Sequence, residues 1–216
     1  MKIGVAIPCY HGHIERLIEL LDSIEQQTRK PDNVVVSCSS TNSAFDVKQY
    51  SFPLEIILTE EFKNTAQNRN IAANKLTNMD YITFIDADDI MHPQRIEALL
   101  TVFIHTNCDI ILHNMLLNKQ QFQLFDEVFI RTNELIKCYS GCIRHIDFNR
   151  YRHQHIAHGH CSVTQAVFNK IKYSEGPEFK SKEDCVFCYN VFSLPNAKNV
   201  YILNPLTLYI KSGTQR

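Results

Sequence analysis

Short apolar runs alternate with segments in which apolar residues recur every three or four positions through the first half of the chain. Short apolar runs bounded by turn residues predict β-strands, and the three-and-four spacing predicts amphipathic helices. The predicted strands cover residues 3–7, 33–37, 54–58, 81–85 and 109–113. The predicted helices cover residues 14–24, residues 64–76 behind an Asn64 cap, and a segment that opens at Pro93.

This alternation predicts an α/β fold. Consecutive strands joined by helices form a mostly parallel central sheet that is flanked by helices on both faces. In such sheets, ligands bind beyond the carboxyl ends of the strands. The pattern therefore points to the loops at residues 8–13, 37–42 and 86–90 as the place for a binding site.

The second half of the chain has a less regular pattern. Strands are predicted at residues 122–130, 162–167 and 206–210, and helices at residues 132–138 and Glu183–Phe192. Residues 140–160 are polar and rich in histidine. We expect this half to complete the sheet of the first half and not to fold as a separate domain.

The composition is that of an ordinary globular chain. The 216 residues are 44% hydrophobic and 21% charged, with a formal net charge of −1. Without a basic excess, neither nucleic acid nor an anionic membrane is an expected partner. No apolar run reaches the roughly 18 residues of a transmembrane segment, and the N-terminus lacks the apolar stretch of a signal peptide. We therefore expect one domain over residues 1–216 and a cytoplasmic location.

Three carboxylates, Asp86, Asp88 and Asp89, directly follow the fourth predicted strand. Buried together they would repel one another, and a divalent cation among them removes that repulsion. Hard oxygen ligands suit Mg²⁺ or Mn²⁺, which complete their coordination with water and substrate phosphates. The cluster therefore predicts a metal and phosphate site. The alternative is that Asp88 or Asp89 only caps the helix that starts near Pro93.

Several short motifs occur in order along nearly the whole chain. They are Ile-Pro-Cys-Tyr at residues 7–10, Ala-Gln-Asn-Arg-Asn-Ile-Ala at 66–72, the strand and Asp-x-Asp turn at 80–89, Pro93, Glu183-Asp184 with Phe187, and Pro205-Leu206 through Tyr209 to Lys211. This series resembles the family 2 glycosyltransferases of GT-A fold. The resemblance implies a single GT-A (Rossmann-like) domain, with a nucleotide-sugar-binding half at residues 1–113 and an acceptor-side half at residues 114–216.

The resemblance also implies an activity. A family 2 enzyme of hexosyl- or N-acetylhexosaminyl-transferase type moves a sugar, with inversion, from a nucleotide-diphosphate donor to a hydroxyl of a glycan or other acceptor. A UDP-sugar is the favoured donor, and Mn²⁺ or Mg²⁺ is the implied cofactor. Asp184 would be the general base, with Glu183 beside it. The implied metal ligands are Asp88, Asp86 and His160, and the implied donor contacts are Pro8, Tyr10, Ser37, Arg69, Asp86, Asp88 and Lys211.

Four positions depart from the family pattern. Ser37 begins a Ser-Cys-Ser-Ser run where the family usually has an Asp that reads the base, which weakens the preference for uracil. Asn68 replaces the Ala before Arg69, and Ala72 replaces a Gly. Lys211 stands where Arg is common, so a bidentate phosphate contact would be lost. The metal ligands and the base remain.

Two other functions are consistent with an acidic cluster on a parallel sheet. A non-catalytic nucleotide-sugar-binding protein would keep the pocket without turnover. A nucleotidyltransferase also uses acidic metal ligands, but it normally opens with a Gly-rich phosphate loop after the first strand. Residues 8–12 lack such a loop, which disfavours this alternative.

The second half of the chain contains a group of histidines whose role the sequence does not decide. The group consists of His153, His155, His158 and His160. It is either part of a solvated loop, part of a loop that binds the acceptor, or the source of a metal ligand, for which His158 or His160 is best placed.

Cysteines are frequent in the same half. Cys185 and Cys188, together with Cys138 and Cys142, have the residue types of a four-thiolate zinc site. In a chain without a secretion signal, buried and reduced thiols are the more usual state of cysteines. The sequence leaves both interpretations open.

Overall fold

A computed structural model describes residues 1–117, 120–138, 141–146 and 155–211. The described residues contain eleven strands and five α-helices. The strands are β1 (Ile3–Tyr10), β2 (Asn33–Ser39), β3 (Leu54–Thr59), β4 (Tyr81–Phe84), β5 (Ile90–Met91), β6 (Ile110–Leu117), β7 (Ile130–Thr132), β8 (Leu135–Lys137), β9 (Ile143–His145), β10 (Ser162–Thr164) and β11 (Asn199–Tyr209). The helices are α1 (Ile14–Glu25), α2 (Thr65–Lys75), α3 (Arg95–Thr106), α4 (Gln165–Lys170) and α5 (Glu183–Phe192).

One mixed sheet organises the fold. In the described part of the chain it has nine strands, in the order β3-β2-β1-β4-β10-β6-β11-β5, with β7 paired to β11 beside this path. The first four strands are parallel to one another, as is the pair of β6 and β11. β10 runs antiparallel to both of its neighbours, β4 and β6. The sheet is therefore mostly parallel, as predicted, with an antiparallel strand at its centre.

Helices cover both faces of this sheet. Along β1, Ile3, Val5 and Ile7 enter one hydrophobic core and Ala6 enters the other, because successive strand side chains point to opposite faces. The first core is closed by apolar residues of α1 and α3, and the second by those of α2, α4 and α5. This arrangement confirms the predicted α/β class with flanking helices.

The predicted helix over residues 132–138 is wrong. Thr132 ends β7 and residues 135–137 form β8, which makes a two-stranded hairpin with β9, in which Leu135 pairs with His145. Asn133 between the two strands has a φ of 57°, a left-handed conformation that an α-helix does not continue through. In β8, buried Leu135 is followed by exposed Ile136, as expected where successive side chains of a strand point to opposite faces.

Other elements differ from the prediction in their bounds. Of the predicted strand at residues 122–130, only Ile130 enters a strand, β7. The predicted strand at 162–167 ends at Thr164, whose hydroxyl accepts a hydrogen bond from the Val167 N–H and caps α4. The last strand begins at Asn199, well before residue 206, and its register with β6 shifts at Pro205. Proline has no N–H to donate to the ladder, which accounts for the shift of register at this residue.

Two further findings concern the element list. The short strand β5 was not predicted, and α3 begins two residues after Pro93. Among the residues that the structure describes, no helix combines the length and apolar character needed to cross a membrane.

Removal of the cap of α2 provides a test of this fold. The Asn64 side chain accepts a hydrogen bond from the Gln67 N–H, and the Gln67 side chain accepts one from the Asn64 N–H, each at 2.9 Å. We expect Asn64→Ala to lower the free energy of unfolding by about 1–2 kcal/mol, because the capping oxygen that accepts from the Gln67 N–H is lost together with the amide donor to the Glu175 carbonyl. Urea denaturation measures this loss.

The control is Asn64→Asp, which keeps the capping oxygen. It loses only the amide donor, which bonds to the Glu175 carbonyl at 2.9 Å. We expect a smaller loss than for Asn64→Ala, and equal losses in the two variants would show that the cap itself contributes nothing.

Candidate active site

The carboxylates after β4 lie on a tight turn, residues 86–89, called the acidic turn below. The Asp89 N–H donates a hydrogen bond to the Asp86 carbonyl at 3.2 Å, which makes this segment a β-turn. The first and last residues of a β-turn lie close together, whereas a central residue lies at its corner. The turn therefore brings Asp86 and Asp89 together and leaves Asp88 pointing elsewhere.

His160 lies against this pair of carboxylates. Its Nε2 is 2.9 Å from Asp89 Oδ2 and 3.7 Å from Asp86 Oδ2. It ends a 3₁₀ turn, His158–His160, called the histidine turn below, which enters β10. One ligand atom from each of the three side chains lies within 4.8 Å of the other two. Asp86, Asp89 and His160 therefore form a group that can hold a metal ion.

The charges of this group are strongly coupled. Burial alone lowers the pKa of His160, but the hydrogen bonds and negative charges of Asp86 and Asp89 raise that pKa to about 9. Burial also raises the pKa of Asp89. The protonated imidazole of His160 is therefore the cation that lies between the two carboxylates. A divalent ion fits the same place, since two carboxylate oxygens and an imidazole nitrogen are a donor set suited to Mn²⁺ and acceptable to Mg²⁺.

Arg69 of α2 connects the acidic turn to α5. Its side chain is buried, with Nη2 2.7 Å from Asp86 Oδ1 and Nη1 3.2 Å from Glu183 Oε1. Burial opposes the charge of the guanidinium, but Asp86 and its neighbours raise the pKa of Arg69, so the charge is retained. The guanidinium also lies over the ring of Tyr173, 5.1 Å from its centroid. Asp86 and Glu183 are thus fixed relative to each other by one cation.

Gly159, in the histidine turn, shows how closely the charged groups approach one another. A Cβ at this position would lie 2.9 Å from Arg69 Nη2, 3.3 Å from Asp86 Oδ2 and 3.5 Å from Asp184 Oδ2. The backbone of the turn therefore passes through a gap that a larger residue would fill. The same distances place the carboxylate of Asp184, in the first turn of α5, next to Asp86 and Arg69.

An open cavity of about 490 Å³ lies beside these groups. Pro8, Tyr10, Asp86, Asp88 and Glu183, all predicted site residues, line it. Its other walls come from residues 62–68 and 174–181. Chain segments from both predicted halves therefore face one cavity.

Asp88 lies on the cavity side of the acidic turn. Its Oδ2 is 3.8 Å from His13 Nε2, and the His13 ring packs on the Tyr10 ring with 4.4 Å between centroids. Asp88 is therefore outside the group of Asp86, Asp89 and His160, and its predicted role as a metal ligand stays a prediction. The sequence analysis did not identify His13, although a polar ring three residues after Tyr10 lies within a predicted loop.

Ser37, predicted to contact the base, is fully buried. Its hydroxyl donates to Asn68 Oδ1 at 2.8 Å, and the Asn68 amide donates to the Cys9 carbonyl at 3.1 Å and to Ser39 Oγ at 3.0 Å. Asn68 lines the cavity. The contact of Ser37 with a donor stays a prediction, and Asn68, which stands in place of a family alanine, is the polar group that faces the cavity here.

Lys211 and three of the four grouped histidines are the remaining residues that the sequence analysis singled out. Lys211 is exposed and follows Ile210, whose N–H donates to Asp89 Oδ1 at 2.8 Å. His155 is exposed, and His158 turns its ring to the backbone of Ile143. His153 lies outside the described residues.

The cysteines of the described residues are free thiols. Cys188 Sγ is 3.7 Å from the His158 carbonyl, and it is buried, whereas Cys138, Cys142 and Cys185 are partly exposed. Within the described ranges, the group of side chains that can hold a metal contains two carboxylates and a histidine and no cysteine. In the described part of the chain, these four thiols are therefore not gathered into a metal-binding group.

Residues 4–171 match the family described as Glycosyl transferase family 2. The chain belongs to this family. The matched region includes Arg69, the acidic turn and the histidine turn, and it ends before α5. Membership confirms the resemblance stated from the motifs.

Three bacterial proteins are similar to part of the chain. An uncharacterized glycosyltransferase of Haemophilus influenzae is 30% identical over 113 residues, 51% of this chain and 38% of that protein. The uncharacterized glycosyltransferase YwdF of Bacillus subtilis is 30% identical over 118 residues, 51% of this chain and 43% of that protein. Glycosyltransferase GlyA of Streptococcus pneumoniae is 32% identical over 117 residues, 52% of this chain and 16% of that protein. The matches thus span less than half the length of each relative.

Solved structures of TarS from S. aureus share the fold. TarS 1–349 in complex with UDP gives a TM-score of 0.66 at 18% identity, over 98% of this chain and 61% of that one. The complex with UDP-GlcNAc gives a TM-score of 0.65 at 17% identity, over 100% of this chain and 60% of that one. At this identity the likeness concerns the fold, and it confirms the predicted GT-A class.

The charge of His160 predicts a pH dependence of the metal-free protein. The folded-state pKa of about 9 lies above the ordinary histidine value of about 6.5. The stabilisation is therefore fully present below pH 6.5 and is lost as the pH rises through 9. Between these pH values, wild type should lose roughly 3 kcal/mol more unfolding free energy than His160→Gln. Urea denaturation in the presence of a chelator measures both.

The control is His105→Gln, which replaces an exposed histidine of α3. This variant should retain the pH profile of wild type. Parallel profiles for wild type and His160→Gln would contradict a charged His160 between two carboxylates.

Proposed function

We propose that this chain is a metal-dependent, inverting glycosyltransferase that moves a hexosyl or N-acetylhexosaminyl group from a UDP-sugar to an acceptor hydroxyl. The observation that carries the proposal is the meeting of Asp86, Asp89, Arg69 and Asp184 at one edge of a nucleotide-sized cavity in a family 2 chain. TarS, which shares the fold, has been solved in complexes with UDP and with UDP-GlcNAc. These two complexes support the choice of a UDP-sugar donor.

The cofactor in this proposal is Mn²⁺ or Mg²⁺. Asp86, Asp89 and His160 would hold it, and the Asp-x-Asp motif adds Asp88 as a ligand from the cavity side. When bound, such an ion supplies Lewis-acid stabilisation of the negative charge that develops on the leaving diphosphate. Lys211, beside the residue that bonds to Asp89, is the chain's own cation for the same diphosphate.

Asp184 is the general base in this proposal. Its carboxylate borders the same gap as Asp86, so a sugar whose phosphate lies at the acidic turn has its reacting carbon within reach of Asp184. It would take the proton of the acceptor hydroxyl as that oxygen attacks, a contribution of typically ~10²–10⁴-fold in rate. Glu183, bonded to Arg69, would hold the acceptor side of the site in place.

The nucleoside would occupy the cavity between Pro8 and Tyr10 on one wall and residues 174–181 on the other. These walls come from the two predicted halves, so residues 1–113 would bind most of the donor and residues 114–216 would provide the base and the acceptor side. Asn68 would be the nearest buried polar side chain for recognition of the base.

Nucleotide binding is the first test. We expect UDP with Mn²⁺ to raise the melting temperature, because a ligand at a hundred times its Kd stabilises by about 2.7 kcal/mol. For a domain of this size that corresponds to a rise of roughly 5–10 °C. GDP, TDP and CMP should give smaller shifts, and a chelator should abolish the UDP shift. No shift with any of these nucleotides would contradict a donor site.

Two substitutions separate binding from chemistry. Asp88→Asn should lose metal-dependent UDP binding, whereas Asp184→Asn should bind UDP as wild type does and lose ~10²–10⁴-fold in the slow hydrolysis of the donor. Asp126→Asn, at an exposed position, is the control and should change neither property. Unchanged hydrolysis in Asp184→Asn would remove that residue as the base. Binding without hydrolysis in wild type would favour the non-catalytic binder.

A further comparison distinguishes a metal ion held by Asp86, Asp89 and His160 from one held on the cavity side by Asp88. Asp89→Asn should weaken Mn²⁺ binding more than Asp88→Asn if the ion sits among Asp86, Asp89 and His160. The opposite order would place the ion on the cavity side of the acidic turn.

A further inference from the structure

Arg95 is an unusual residue for the interior of this fold. It lies in the first turn of α3 and is 0% exposed. Its guanidinium hydrogen bonds go to hydroxyl and carbonyl oxygens. Burying a charge among neutral oxygens costs free energy, and a cation in the first turn of a helix opposes the helix dipole. Packing alone therefore does not explain an arginine at this position.

The guanidinium connects three separate segments of chain. Nη2 donates to Thr83 Oγ1 at 2.9 Å and to the Phe84 carbonyl at 2.8 Å, both in β4. The same nitrogen is 3.0 Å from the His160 carbonyl, in the histidine turn, so its two N–H bonds are shared among three oxygens. Nη1 donates to Thr207 Oγ1 at 2.6 Å, in β11. One planar group thus sets the spacing of β4, the histidine turn and β11.

Each of these segments carries or holds one member of the metal-binding group. Phe84 is two residues before Asp86, and the second segment contains His160 itself. β11 leads to Ile210, whose N–H donates to Asp89 Oδ1 at 2.8 Å. A shift of the Arg95 guanidinium would therefore move all three ligands relative to one another.

We propose that Arg95 is a positioning residue of the metal site, which holds Asp86, Asp89 and His160 in register by bonding to the backbone and side chains of the three segments that carry or orient them. The proposal rests on the metal dependence proposed above. Arg95 does not contact the ion or the substrate in this assignment. Loss of groups that orient metal ligands typically weakens metal affinity by about 10–100-fold.

Three substitutions at this contact give a graded test. Arg95→Met removes all four hydrogen bonds, Arg95→Lys keeps the charge but not the planar fork, and Thr207→Val removes one bond with little change in shape. The readout is the Kd for Mn²⁺ alone, from the electron paramagnetic resonance signal of free Mn²⁺. We expect Arg95→Met to weaken Mn²⁺ binding about 10–100-fold. Arg95→Lys and Thr207→Val should bind Mn²⁺ more weakly than wild type and more tightly than Arg95→Met.

The matched control is Leu99→Ala, which removes a fully buried side chain from the same helix. It should lower the melting temperature without changing the Kd for Mn²⁺, because a loss of stability alone does not move the ligands of the folded protein. All measurements are made below the melting temperature of each variant, with the fold checked by circular dichroism. If Arg95→Met does not fold, Thr207→Val and Arg95→Lys decide the question.

Folded Arg95 or Thr207 variants that bind Mn²⁺ as tightly as wild type would overturn the proposal. Weaker binding in Leu99→Ala to the same degree would also overturn it, since the effect would then follow stability. A wild-type protein that does not bind Mn²⁺ is a different result, because it contradicts the metal-dependent function on which the assignment of Arg95 rests.

Discussion

Carboxylates crowded at one edge of the sheet impose the constraint on which the rest of the site depends. Asp86, Asp89, Glu183 and Asp184 meet there, and Arg69 and His160 are the cations placed among them. Charges gathered in a partly buried place repel strongly unless they are paired. The carboxylates still outnumber these two cations. The remaining negative charge favours the binding of a divalent ion at this site.

Several features of the fold hold the charged side chains of this site in position. Arg69 reaches it because the capping box at Asn64 sets the start of α2, and the guanidinium arrives at Asp86 one turn later. Glu183 reaches it from the first turn of α5, where the helix dipole favours negative side chains. The polar groups thus come from helix beginnings and strand ends, where backbone geometry is well defined.

Much of the fold could be predicted because its signals are local. The alternation of apolar runs and helical spacing identified β1 to β4, α1 and α2, and Glu183–Phe192 was predicted with the observed bounds. The prediction for the second half failed at two single residues. Asn133 interrupts a helical pattern, and β11 extends across Pro205, where a change of register lets the strand continue. A pattern read over several residues does not detect such points.

The site could be located from sequence but not arranged in detail. An Asp-x-Asp motif after a strand indicates a turn rich in carboxylates, whereas the hydrogen bond that closes the turn decides that Asp86 faces Asp89. The partners of Ser37 and Arg95 were likewise hidden, since both depend on contacts between residues far apart in the chain. Long-range pairing of buried polar groups carries no periodic signal in a single sequence.

The antiparallel course of β10 has a consequence for how such a site changes over time. Because β10 runs against β4, its beginning, and not its end, lies at the edge where the acidic turn is found. His160 therefore arrives from the loop that precedes the strand, while Asp86 and Asp89 leave from the loop that follows one. Changes in the preceding loop can alter what lies against the acidic turn without disturbing the strand that delivers the carboxylates. The two chain directions thus divide one site into a part fixed by the end of a strand and a part set by the loop that leads into a strand.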